Sequence, residues 1–106
     1  MGLFSFLRGR DINEGVAEYQ ATDGAVLLDV RAVEEYRGGH IEGSINLPLD
    51  KIATVGTIVK DKETPLYVHC LSGTRSGQAV SRLQQIGYTN ATNIGGISDY
   101  RGKVVR

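Results

Sequence analysis

Two short, almost wholly apolar runs, AVLLDV at 25–30 and PLYVHC at 65–70, most constrain what this chain can become. Both are bounded by turn residues and neither alternates apolar with polar, so each suits a strand covered on both faces of a parallel sheet. SINLPL (44–49) and ATNIGG (91–96) are weaker strand candidates. Helical patterns lie between them. The clearest covers 75–86, where Ala79, Val80, Leu83 and Ile86 share one face and Gln78, Ser81, Arg82 and Gln85 the other, with Gly87 as the stop. A helix is also predicted over 13–20 behind Asp11 or Asn13, Glu14 standing at capping-box spacing from Asp11. An acidic helical turn is expected at 32–37. A weaker helix is expected at 49–59, where Leu49, Ile52, Ala53 and Val59 recur at helical spacing in spite of Gly56. Strands alternating with helices predict an α/β domain with helices covering a mainly parallel sheet.

The 106 residues are enough for one core and contain no repeat or low-complexity linker, so a single domain is expected over 1–106, its core at about 11–103. Twelve basic and twelve acidic side chains cancel, which argues against a nucleic-acid partner held by a basic face. One cysteine makes no internal disulfide, and no Cys/His cluster has metal-ligand spacing, so neither metal nor cofactor is expected. A free thiol suits a reducing, cytoplasmic setting. In the N-terminal extension, 1–10, the apolar run Leu3–Leu7 falls short of the about 7–15 residues of a signal peptide. It also falls short of the about 20 of a membrane span. Phe6 occupies the position where a myristoylation signal needs Ser or Thr. Phe4 and Phe6 are expected to pack on the domain or on another subunit, not on a membrane.

The lone cysteine sits in the segment that carries chemistry. Cys70 ends an apolar run, and LSGTRS turns the chain into the helix over 75–86. Ligands of open α/β sheets gather at the carboxyl ends of strands. The first helical turn there has N–H groups without internal partners and a partial positive charge. Such surroundings lower cysteine pKa values from about 8.5 to about 3.5–7.5. Gly73 allows backbone angles that bring several N–H groups to one point, and Arg75 adds a charge able to hold an oxyanion through two hydrogen bonds. A lone cysteine more often fills space in a core; here strand end, polar loop, arginine and helix together favour a reactive role.

The stretch LLDVRAVEEYRGGHIEGSINLPL (27–49) resembles the rhodanese domain. Asp29, Val30 and Arg31 match its Asp-Val-Arg strand end, and Glu35 and Tyr36 its Glu-aromatic pair. Gly39, His40, Ile41, Gly43, Ser44, Asn46 and Pro48 match its Gly-His-Ile-x-Gly-(Ala/Ser)-x-Asn-x-Pro segment. VHCLSGTRS and NIGGISDY match as well, with Tyr100 where the family often has Trp. The resemblance covers nearly the whole chain. It implies a rhodanese-like α/β fold, a mainly parallel five-stranded sheet flanked by helices on both faces, and sulfur transfer through a persulfide on Cys70. The spacing Cys70-x4-Arg75 is similar to sulfurtransferases, whereas related phosphatases and arsenate reductases use a loop one residue longer; here that position is Ser76. A shorter ring fits one sulfur atom better than a tetrahedral oxoanion.

The implied cycle is covalent catalysis. Cys70 takes sulfur from a small anionic donor such as thiosulfate, bound near Arg75, and N–H groups of Leu71, Ser72, Gly73, Thr74, Arg75 and Ser76 hold the persulfide. With no second cysteine, the acceptor must be external: a thiol, cyanide or a thiol-carrying protein. The Ser72 and Thr74 hydroxyls either donate to substrate or satisfy the loop backbone. Asp29, Arg31, Glu35 and His40 are expected to brace the site. His69, adjacent on a strand, points to the face opposite Cys70 and makes a poor base. The alternatives are a non-catalytic protein-binding module and a phosphatase or arsenate-reductase relative.

Overall fold

The computed structural model describes residues 11–106; the expected contacts of Phe4 and Phe6 lie outside them. In chain order the elements are α1 (Ile12–Gln20), β1 (Val26–Asp29), α2 (Val33–Arg37), β2 (His40–Ile41), β3 (Ile45–Asn46), a 3-10 segment (Leu49–Thr57), β4 (Leu66–Cys70), α3 (Thr74–Gln85), β5 (Ala91–Gly96), a short 3-10 turn (Ile97–Asp99) and β6 (Val104–Val105). Four strands form a parallel sheet in the order β3-β1-β4-β5, and β2 pairs with β6 in a separate antiparallel ribbon. Among the described residues the main sheet thus has four strands where five were expected. Neither two-residue strand of the ribbon is long enough to carry a periodic signal.

The buried runs sit in the centre of the sheet, as their unbroken apolarity requires. Leu66, Val68 and Cys70 of β4 join Leu28 and Val30 on one face, under Ala79 and Leu83 of α3 and Ile52 and Val55 of the 3-10 segment. Leu27 and Tyr67 lie on the other face with Ile94, beneath Ile12 and Val16 of α1. Helical cover on both faces is therefore present. The α3 face is centred on Ser76, Ala79 and Leu83, with Val80 half-buried and Ile86 exposed, a rotation from the sequence expectation. A complete Schellman motif ends α3: Gly87 N–H donates to the Gln84 carbonyl and Tyr88 N–H to Leu83. At 49–57 the chain takes 3-10 turns instead of an α-helix. Its buried residues, Ile52 and Val55, are three apart, which suits three residues per turn, and Gly56 with β-branched neighbours weakens the α alternative.

The carboxyl end of β1 is fixed by a buried ion pair. Asp29, fully buried, accepts from Arg31 Nε at 2.9 Å, from Arg31 Nη2 at 2.7 Å and from the Arg31 backbone N–H at 3.0 Å. Arg31 Nη2 also donates to the Gly39 carbonyl at 2.8 Å, and Asn46 Nδ2 donates to the carbonyls of both Asp29 and Arg31. Removing one partner of such a pair leaves a charge desolvated and unmatched. Asp29→Ala is therefore expected to lower unfolding free energy by about 3–5 kcal/mol, read from the urea midpoint.

Candidate active site

Cys70 closes β4 and α3 begins four residues later, so the loop between them is a strand-to-helix turn at the carboxyl edge of the sheet. Gly73, the residue preceding α3, has φ 105°, a left-handed conformation that other residues adopt at a cost. No side chain of the Gly73 position can cap the helix, and the cysteine sulfur takes that part. Gly73 N–H donates to Cys70 Sγ at 3.0 Å and Ser76 N–H at 3.3 Å, with the Ser72 N–H adding to the same side. Of these, the Ser76 N–H is a donor that an N-cap oxygen would normally accept. Ser76 Oγ lies 3.4 Å from the sulfur.

Burial is the largest single influence on the Cys70 thiol and pushes its pKa up. The Ser76 hydroxyl and the N–H groups of Ser76, Gly73 and Ser72 push it down, and together they prevail, leaving the thiol below its ordinary value of 9.0. The residue is only 1 % exposed, yet the next residue, Leu71, is 45 % exposed. The sulfur therefore lies just beneath the surface of the loop. Gly96 makes this possible: a Cβ there would collide with the Leu71 carbonyl and Ser72 Cα, so only glycine lets β5 pass under the loop. Ser98 N–H then donates to the Leu71 carbonyl at 3.1 Å.

Arg75 stands beside the loop with both terminal nitrogens engaged. Nη1 donates to Glu35 Oε1 at 2.7 Å and Nη2 to Glu35 Oε2 at 3.0 Å. Its end-on fork is thus filled by a carboxylate of the same chain, leaving the Nε edge and the outer Nη protons for an anion. Glu35 Oε1 also accepts from the Ala32 N–H at 2.9 Å, so one carboxylate caps α2 and tethers α3. Hydrogen bonding to Glu35 raises the Arg75 pKa, and hydrogen bonding to Arg75 holds Glu35 down at about 2.

The remaining expected residues fall into supporting positions. His40 stacks on Tyr36, ring centroids 3.8 Å apart, and lies 2.9 Å from the Tyr36 carbonyl, which can only accept, so Nδ1 carries the proton. His69 points away from Cys70, as expected. Its Nδ1 donates to the Cys70 carbonyl at 3.1 Å, and burial above all lowers its pKa. Ser72 and Thr74 are exposed, and their hydroxyls make no hydrogen bond to another described residue. Asn93 was not anticipated. It accepts from Ser76 Oγ at 2.7 Å and donates to the Gly73 carbonyl at 3.1 Å, joining β5 to both ends of the loop. In sequence it sits in a polar-apolar strand run without a motif of its own. Among the described residues no group of side chains could hold a metal ion, and no helix is long and apolar enough to cross a membrane.

The Glu35–Arg75 tether has a pH signature. The Glu35 pKa falls from 4.5 to about 2 on folding, so the carboxylate favours the folded state above pH 4.5, and this is lost as pH falls toward 2. Because the pair is about a third exposed, the effect is modest. Glu35→Gln is expected to flatten the fall of the urea midpoint across that window, and an unchanged slope would contradict the tether.

The Rhodanese-like domain family matches residues 13–103. Thiosulfate sulfurtransferase PspE of Escherichia coli (strain K12) is 41% identical over 73 residues, 68% of this chain and 70% of that protein. The adenylyltransferase and sulfurtransferase uba4 of Ogataea parapolymorpha is 36% identical over 96 residues; these are 90% of this chain but 25% of that much longer protein. A solved structure described as a rhodanese with anions from E. coli superposes with a TM-score of 0.72 at 37% identity, covering 77% of this chain and 98% of the other. Family match, sequence identity and structural superposition thus agree, and the chain belongs to the rhodanese-like domain family.

Proposed function

We propose that the protein is a sulfurtransferase that carries a sulfane sulfur on Cys70 between a small anionic donor and an external acceptor. The observation that supports this most is the sulfur itself, standing in for the helix cap and receiving the Gly73 and Ser76 N–H groups. Donors aimed at one point stabilise negative charge there without reorganising. In the first half-reaction the Cys70 thiolate attacks the outer sulfur of thiosulfate. The sulfur–sulfur bond of thiosulfate breaks, sulfite leaves with its electron pair, and a new bond makes the Cys70 persulfide. In the second, cyanide or a thiolate takes the outer sulfur and the Cys70 thiolate is restored. No proton need move once the thiol has ionised, so this step requires no general base.

Thiosulfate's sulfonate fits beside the outer edge of Arg75, with the unengaged Ser72 and Thr74 hydroxyls as further donors. The loop N–H groups from Leu71 to Ser76 hold the terminal persulfide sulfur. Asp29, Arg31, Glu35 and His40 act by holding elements in place. The acceptor comes from outside, since the chain has no other cysteine to resolve the persulfide. A cellular thiol or a thiol-carrying protein in the cytoplasm meets that need. A binding module without chemistry has no use for an activated thiol, and a phosphatase-type site needs the wider loop that this chain lacks.

Intact-mass measurement tests the reading. Thiosulfate treatment is expected to add one sulfur atom to the wild-type protein, cyanide to remove it, and Cys70→Ser to abolish both labelling and turnover. An unchanged wild-type mass would defeat the proposal. The rate of persulfide formation is expected to rise with the thiolate fraction and level off at a midpoint below pH 9.0, the ordinary value for the thiol.

A further inference from the structure

Ser76 carries one hydroxyl proton and faces three acceptors, the most distant being the Gly95 carbonyl at 3.5 Å. Its Oγ lies 2.7 Å from Asn93 Oδ1 and 3.4 Å from Cys70 Sγ. Both residues that meet there are constrained. Ser76 is fully buried, and its backbone N–H already points at the sulfur. The Asn93 amide cannot be flipped, because Gly95 N–H, which only donates, lies 3.0 Å from Oδ1. Likewise the Gly73 carbonyl, which only accepts, lies 3.1 Å from Nδ2. Oδ1 is therefore a fixed acceptor aimed at the Ser76 hydroxyl.

The demands of Cys70 on that hydroxyl change through the proposed cycle. A thiol can donate its own proton to Ser76 Oγ while Ser76 donates onward to Asn93. A bare thiolate is an acceptor only, and a hydrogen bond to an ionised group is the stronger kind. In the persulfide, Sγ is a neutral bridging sulfur and the negative charge sits one atom further out. We propose that Asn93 is a positioning residue for Cys70: it holds the Ser76 hydroxyl proton while Sγ is a thiol or a persulfide bridge, and releases it by rotation when Sγ is a bare thiolate. This deepens the sulfurtransferase reading and, for its persulfide state, rests on it. No covalent bond changes at Ser76. On ionisation the thiol proton goes to solvent, and the hydroxyl keeps its own proton and turns.

Contest for the proton keeps the free thiolate from being over-stabilised. That matters because a thiolate loses nucleophilicity as its conjugate acid strengthens, with a Brønsted slope of about 0.4–0.5. Asn93 also braces the Gly73 carbonyl, so it holds the left-handed residue whose N–H reaches the sulfur. The charged groups around Cys70 are Arg75 on α3, neutralised by Glu35 of α2, and the Asp29–Arg31 pair with His69 on the opposite face of the sheet. None is altered in the variants below.

The pH dependence of Cys70 alkylation by iodoacetamide reads the free thiolate alone, so its outcome is separate from that of the persulfide experiment. With Asn93→Ala the thiol form loses the Ser76–Asn93 hydrogen bond and the thiolate form does not. The midpoint is expected to move to lower pH by about 0.5–1 unit, and the plateau rate constant to fall about two- to threefold. Ser76→Ala is expected to move the midpoint to higher pH, and Asn93→Ala added to it to lack the downward shift seen when the Ser76 hydroxyl is present; loss of the Gly73 brace is common to both backgrounds and cancels in the difference between them. Ser76→Ala read alone provides a second variant should Asn93→Ala fold poorly: a midpoint that falls or stays fixed there overturns the proposal. A midpoint that rises or stays fixed in folded Asn93→Ala, or an equal downward shift without the Ser76 hydroxyl, overturns the proposal.

Discussion

The structure around the site depends on a cysteine sulfur occupying the acceptor position at the start of α3. Helix starts expose N–H groups that need a partner, and Gly73 has no side chain to supply one. Cys70 Sγ receives them, which joins the last residue of β4 to the first turn of the helix that covers it. Capping the helix and activating the thiol are thus one interaction. The loop is short because it must deliver the third helical residue, Ser76, back to the sulfur at its start.

Two ion pairs support this arrangement at different depths. Asp29 and Arg31 are buried and lock the end of β1 against the Gly39 carbonyl and Asn46, where a charge left alone would be costly. Glu35 and Arg75 lie nearer the surface and tie the start of α2 to that of α3. The shallow pair can exchange partners with an arriving anion more readily than the deep one, since water screens what it gives up. The site thus has a rigid floor and a more yielding rim.

On the far side, β5 holds the loop from beneath. Gly96 permits contact, Ser98 bonds the Leu71 carbonyl, and Asn93 reaches both Gly73 and Ser76. The Asn93 side chain comes to the loop next to an irregularity in the β4–β5 pairing between Val68 and His69, where β5 runs one residue ahead of its partner. The bulge brings Gly95 and Gly96 opposite His69 and Cys70, which is where small residues are needed.

Much of this was legible in the chain itself. The unbroken apolarity of 25–30 and 65–70 required strands covered on both faces, because no face was left for water. The spacing of Ala79 and Leu83, with Gly87 beyond, required a helix and its stop. Cys70 at a strand end before a glycine-containing polar loop marked the candidate residue, since those local features alone create unpaired N–H groups. The tertiary structure decided the rest, because it depended on residues far apart in sequence meeting. The engagement of the Arg75 fork by Glu35, forty positions earlier, could not be read from either residue's neighbours. The two-residue ribbon of β2 and β6 carries no periodicity to read. Asn93 became part of the site only when the sheet laid β5 beside β4, for a side-chain amide shows its partners only after the fold has brought them within reach.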